Sequence, residues 1–312
     1  MSTVRSFADL LSKTQQGLSL PDAVLSVSSA EDMVPAEAIR RGLKSRLETM
    51  RESVSTALTK SWQPKLVTDD KGRYSAYKKE PLSGALIWRA SEIACAVSTC
   101  NASMGRIVAA PTAGSCGILP GLIFAWQDIR GGSDETLLDG LIVSAGIGDI
   151  IAARATLAGA SGGCQAECGA AVAMAAAALC CMEGGTPDQC GQAAAMSLKS
   201  ILGLVCDPVC GLVEVPCVKR NSTLVSLGAV TADMALAGIK SFIPLDEMID
   251  AMGEVGKALP ETLRETGRGG CARTVTGKNV KRQLRMFHSG KSQPDDKPRQ
   301  AKIISAEDGN MM

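Results

Sequence analysis

Ala170-Ala171-Val172-Ala173-Met174-Ala175-Ala176-Ala177-Ala178-Leu179-Cys180-Cys181-Met182 is an uncharged run of 13 residues, mostly alanine, closed by Gly169 on one side and Glu183 on the other. Alanine has the highest intrinsic helix preference and the run holds a single β-branched residue, so it reads as a helix rather than a strand. It is shorter than a bilayer's hydrocarbon core requires. The expectation is a buried helix, with no membrane as partner.

The same composition extends outward. From Ser83 onward, alanine-rich segments of 13 to 20 residues alternate with glycine and proline punctuation at 111–117, 159–163, 184–187 and 203–211. β-Branched and aromatic residues are sparse there, so the expected fold class is mainly α, a multi-helix domain over 81–288. Residues 81–240 carry only 20 of the 65 charged side chains, which marks this stretch as the buried part. Loops that bring backbone amides close to a ligand need glycine, so the punctuation is where chemistry is sought.

Residues 1–80 read as a smaller helical region with a linker. Asp32 is placed to cap, Pro35 suits a first turn, and Ile39, Leu43, Leu47, Met50, Val54 and Leu58 recur at helical spacing. Residues 62–81 are polar and read as a long connection. Residues 289–312 have little to bury and read as a mobile polar tail.

Formal charge is +1, from 33 basic and 32 acidic side chains, and only nine residues are aromatic. No basic run interleaved with aromatics is present, so no nucleic-acid partner is expected. Met1 to Leu20 carries Arg5, Asp9 and Lys13 and lacks an apolar stretch of signal-peptide length. Twelve cysteines in so long a chain, without an export signal, fit the reducing cytoplasm, where excess cysteine means metal, catalysis or small apolar packing.

Cys95, Cys100, Cys180, Cys181 and Cys190 lie among alanines and read as packing. Cys164, Cys206 and Cys217 stand apart, in Gly162-Gly163-Cys164-Gln165-Ala166-Glu167, Cys206-Asp207-Pro208 and Val215-Pro216-Cys217. Three thiolates brought together can hold an iron-sulfur cluster and leave one iron open as a Lewis acid. Spacing alone leaves the metal undecided, since no Cys-x-x-Cys pair exists. Cys116, Cys168, Cys210 and Cys271, in or beside glycine-rich turns, stay open between extra ligand and packing. The single histidine, His288, reads as a surface residue. No lysine lies between Lys79 and Lys199, and neither Lys199 nor Lys219 follows a strand-like run, so pyridoxal phosphate is not expected.

Pro111-Thr112-Ala113-Gly114-Ser115, running into a helical segment from Gly117, can present amides and hydroxyls to an anion, or Thr112 or Ser115 can simply cap the helix. Glu167, Asp207 and Lys219 can act as base or orienting groups, or sit in ion pairs, the commoner fate for any one of them. Asn221 can reach a ligand or begin a helix.

Over roughly Leu82 to Gly277 the chain resembles the alpha chain of the bacterial iron-sulfur-dependent L-serine dehydratases. The likeness rests on Ser103-Met104-Gly105, Pro111 to Ser115, Ala158 to Glu167, Leu202 to Asn221, Ala232 to Ile239 and Leu263 to Gly267. The resemblance implies a lyase that deaminates L-serine to pyruvate and ammonia with a 4Fe-4S cluster held by Cys164, Cys206 and Cys217, lined by the glycine-rich loops. It implies substrate binding at Thr112, Ala113, Gly114 and Ser115, and a separate beta subunit in an oligomer. An L-cysteine desulfidase or a non-catalytic iron-sulfur redox or sensor protein is the alternative.

Overall fold

Thirteen α-helices and no strand make up residues 6–288, the part of the chain that this computed structural model describes. The tail 289–312 and the side chain of His288 lie outside it. Helix α1 spans Phe7–Gln15 and α2 Leu20–Asp32, each started by a serine whose hydroxyl accepts an amide of the first turn: Ser6 from Asp9 and Ser19 from Asp22. This corrects the expectation for Asp32, which ends α2 instead of capping its successor. Leu20, Ala23, Val24 and Val27 form an apolar face of their own upstream, and Met33 closes α2 in the left-handed region. Helix α3, Ala36–Thr59, follows Pro35, which sits just outside the helix as its N-cap. Leu47, Met50 and Val54 are buried along α3, with Ile39, Leu43 and Leu58 packed at the margin, as the spacing predicts.

The polar connection contains only one short helix, α4 (Lys71–Ala76). The rest follows as α5 (Gly84–Ala102), α6 (Ile118–Arg130), α7 (Asp134–Arg154), the single turn α8 (Gly159–Gly162), α9 (Ala170–Met182), α10 (Pro187–Ile201), α11 (Cys217–Leu236), α12 (Leu245–Ala258) and α13 (Val275–His288). Helix α9 is the axis of the bundle, packed against α6, α7, α10 and α11. All its residues except Cys181 are buried, which explains the composition: a helix crowded on every side has room for methyl groups and little else.

Residues Gln165–Gly169 form a π-turn that runs directly into α9. The combined helix Gln165–Met182 is therefore longer than the alanine run, and it and α7 are long and apolar enough, by length and composition, to cross a membrane. Most of each lies inside the fold, as in core helices. Among the described residues the one β-type pairing is an isolated parallel bridge between Cys206 and Arg264.

Candidate functional site

The chain leaves α7, makes the single turn of α8, and reverses at Gly163, whose φ of 75° lies in the region that favours glycine. A β-carbon there would also stand 2.6 Å from Leu259 and 2.9 Å from the Leu204 carbonyl. Cys164 follows, 3% exposed, at the head of the π-turn, a rare geometry that recurs at functional sites. Gln165, fully buried, fixes the turn: its amide donates to Leu204 (3.0 Å), its side-chain nitrogen to the Met252 carbonyl (3.0 Å), and its side-chain oxygen accepts from Gly203 (2.8 Å).

Cys206 comes in on an extended segment clamped from downstream. Its amide donates to the Leu263 carbonyl (2.9 Å) and its carbonyl accepts from Glu265 (2.7 Å). Cys217 is the first residue of α11, and its carbonyl accepts from the Asn221 side chain (3.0 Å). The three thiols thus arrive on a π-turn, an extended strand-like segment and a helix start. They lie within reach of one another's charge, and burial together with that mutual repulsion raises the Cys206 thiol and pushes Cys217 up to about 12. Cys164 is the exception. Its sulfur is in hydrogen-bonding contact with that of Cys168 at 3.3 Å and the Arg220 guanidinium faces it, which holds it below the ordinary thiol range against the cost of burial. Among the described residues no three carboxylate, imidazole or thiol groups converge on a point where one ion would sit. All twelve cysteines are free thiols.

Glu167 links the thiols to the loop at 112–115. Its Oε1 accepts from the Thr112 hydroxyl at 3.1 Å, and its Oε2 lies 4.0 Å from the Cys206 sulfur. A β-carbon at Gly114 would stand 3.2 Å from this carboxylate, and one at Gly159 would stand 2.7 Å from Oε2 and 3.2 Å from the Cys206 sulfur. Both positions are glycine because the carboxylate occupies that space. Burial, assisted by the charge of Glu265, raises the Glu167 carboxyl despite the Thr112 hydrogen bond.

The loop does not act as a plain helix cap. Thr112 makes no capping bond; its hydroxyl goes to Glu167 and to Ser115 (3.2 Å), and Ser115 is fully buried. Among the described residues no acceptor takes the amides of Ala113 and Gly114, and Ala113 is exposed. Asn221 does not begin a helix, and its side chain bonds within the protein. Fully buried in the second turn of α11, it accepts from the Gly117 amide (2.9 Å) and donates to the Gly114 carbonyl (2.8 Å), pinning the loop to α11.

Asp207 and Lys219 are ion-paired, Asp207 with Arg220 at 2.9 Å and Lys219 with Asp70. Glu167 has no cation on it among the described residues, so of the three candidates it alone is left to act as an acid or base. Arg220 escaped the sequence reading. It donates to the Val205 carbonyl (2.8 Å) and to Asp207 while facing Cys164, so it ties two thiol-bearing segments together. The available signal was its position three residues after Cys217 on a helix. Of the undecided cysteines, Cys168 touches Cys164, Cys116 is buried and feels the Cys217 charge, and Cys210 and Cys271 are partly exposed.

The sequence model of the family described as serine dehydratase alpha chain matches residues 15–272. The chain is 42% identical over 288 residues to the L-serine dehydratase alpha chain of Peptoniphilus asaccharolyticus, covering 91% of this chain and 98% of that one. It is also 42% identical over 268 residues to the probable L-serine dehydratase alpha chain of Bacillus subtilis (strain 168), covering 84% and 89%. L-serine dehydratase 2 of Escherichia coli (strain K12) is 41% identical over 185 residues, 58% of this chain but only 40% of that longer protein.

Proposed function

The chain belongs to the serine dehydratase alpha chain family, and from that premise we infer that it deaminates L-serine to pyruvate and ammonia as one chain of a two-chain lyase. The observation that carries the reading at residue level is the Glu167 carboxyl, held by Thr112 of the loop 112–115 and set against Cys206. Relatives named as alpha chains are matched over 89% and 98% of their length, and the longer E. coli protein over 40%. A separate beta chain supplying the remainder accounts for that difference.

The donor set fits a multi-iron group better than a single ion. The three thiols arrive on separate elements, the charge of Cys164 raises Cys206 and Cys217, and all three become thiolates together only around a strong cationic centre. We place a 4Fe-4S cluster on Cys164, Cys206 and Cys217. When bound, such a cluster supplies one iron free of protein ligands, a Lewis acid toward the serine hydroxyl.

The chain's own residues supply the rest. The amides of Ala113 and Gly114 bind the substrate carboxylate and so orient Cα toward Glu167, which the Thr112 hydroxyl holds in place. Glu167, with a carboxyl raised by burial, is matched to taking the Cα proton as the β-hydroxyl departs. Loss of that proton and of hydroxide leaves aminoacrylate, which tautomerises to the imine and hydrolyses to pyruvate and ammonia. The free thiols fit a reducing compartment, the cytoplasm.

Pyruvate formation from L-serine, with L-cysteine as competitor, tests the reading on the chain reconstituted anaerobically with iron, sulfide and the beta chain. Glu167→Gln is expected to keep the cluster absorbance and lose at least about 100-fold in kcat. Alanine at Cys164, Cys206 or Cys217 is expected to remove absorbance and activity together. Full activity in any of these variants removes that residue from its assigned role, and sulfide release from L-cysteine without turnover of L-serine overturns the substrate.

A further inference from the structure

At the other end of α9 from this site, the four-residue turn 183–186 folds α10 back against α9. Cys181, partly exposed, and Cys190, 1% exposed, both line a cavity of about 570 Å³ walled also by Leu18, Leu20 and Pro21 of the α1–α2 turn and by Asp139. Cys180 and Cys181 both lie near enough to the Cys190 thiol to raise it. Cys180 is fully buried and does not line the cavity. It faces the turn, where a β-carbon at Gly185 would stand 2.5 Å from its sulfur.

We propose that Cys181 and Cys190 form a peroxide-oxidisable dithiol, a modification site distinct from the candidate active site. The arrangement has the three parts such a site needs: a partly exposed attacking sulfur, a second thiol on the wall of the same cavity across the short turn, and an opening through which a small oxidant enters. The neighbouring Cys190 also holds the Cys181 thiol below its ordinary range, while Cys180 and Cys181 raise Cys190, so Cys181 is the one of the pair that gives up its proton more readily.

The Cys181 thiolate attacks one oxygen of hydrogen peroxide; the O–O bond breaks, leaving Cys181 sulfenic acid and hydroxide, which takes up a proton to become water. The Cys190 sulfur then attacks the sulfenic sulfur, the S–O bond breaks, and the departing hydroxide leaves as water with the Cys190 proton. Two thiols and one peroxide become one disulfide and two waters, with the sulfurs oxidised and the peroxide reduced. The product staples the end of α9 to the start of α10. The active-site assignment plays no part in this chemistry, so either can fail alone.

The test is peptide mapping of the full reduced chain treated with hydrogen peroxide in the presence of an iron chelator. Trypsin with a glutamate-specific protease cuts after Glu183 and separates Cys181 from Cys190. The expected product is peptide 168–183 joined to 184–199 through Cys181 and Cys190, lost on reduction. In Cys190→Ala the intermediate has no partner, and dimedone is expected to label Cys181. A Cys180–Cys190 link, or both thiols remaining alkylatable while the protein's other cysteines oxidise, overturns the pair. Absence of the dimedone adduct on Cys181 overturns the order of attack.

Discussion

Glu167, Asp207 and Lys219 stand close to the thiol-bearing segments in sequence, and one-dimensional proximity gave no means of ranking them. What separates them is the distant residue each one meets: Arg220 for Asp207, Asp70 for Lys219, and a hydroxyl with no cation for Glu167. Gly159 turns that difference into a measurement. In Gly159→Ala the new methyl group displaces the free end of the Glu167 side chain, so stability is expected to change by less than about 1 kcal/mol while kcat falls by about 10- to 100-fold. Chemical unfolding and steady-state turnover on the same preparation check it. Asp70 offers a pH experiment. Burial pushes its carboxyl up, but bonds from Lys219, Thr68 (2.6 Å) and Arg73 (3.0 Å) more than offset this and leave it below the ordinary value. A folded-state pKa below the unfolded one contributes stability above the unfolded pKa and loses it as pH falls through the folded value. Asp70→Asn is therefore expected to destabilise at pH 7, and its unfolding curve to approach that of the unsubstituted chain as pH drops below about 4. The three thiol positions themselves were not legible from spacing, because the elements that carry them obey no common period.

Helical content was legible because alanine, leucine and methionine dominate from Ser83 onward and nothing competes with them. Boundaries were less so. Asp32 and Pro35 have the right chemistry to start a helix, yet Ser19 and Pro21 start one earlier and the chain simply continues through Asp32. The π-turn ahead of α9 had no signal at all, since its one extra residue is imposed by the bonds Gln165 makes to segments around 203 and 252. Helix α9 is where packing argues most strongly. Ala176→Leu inserts a branched side chain where four helices converge and is expected to cost about 3 kcal/mol, whereas Arg46→Leu on the exposed face of α3 is expected to change stability by less than about 0.5 kcal/mol. Urea unfolding midpoints distinguish the two.

The molecule's N-terminal helices share one apolar cluster with α5–α12, and α1 is tied to α12 by Asp246, which accepts from the amides of Phe7 (2.7 Å) and Ala8 (3.2 Å). A second tie lies nearer the site. Glu214, 2% exposed, accepts from the amides of Lys65 (3.1 Å), Leu66 (2.6 Å) and Val67 (3.1 Å), strapping the connection across the segment that leads to Cys217. Sequence could not foresee this, because a carboxylate that binds amides 147 to 149 positions away leaves no local pattern. Glu214→Ala strands those donors and is expected to cost about 3 kcal/mol and open residues 61–70 to limited proteolysis, with Glu214→Gln losing less.

The clamp on Cys206 bears on how the protein is made. Its backbone partners, Leu263 and Glu265, are translated more than fifty residues later, so a nascent chain on the ribosome that has not yet exposed Glu265 cannot orient this sulfur. On the proposed assignment, maturation of the cluster thus belongs to the finished polypeptide, and a carrier of iron and sulfide would meet a substrate already folded around the place it must fill.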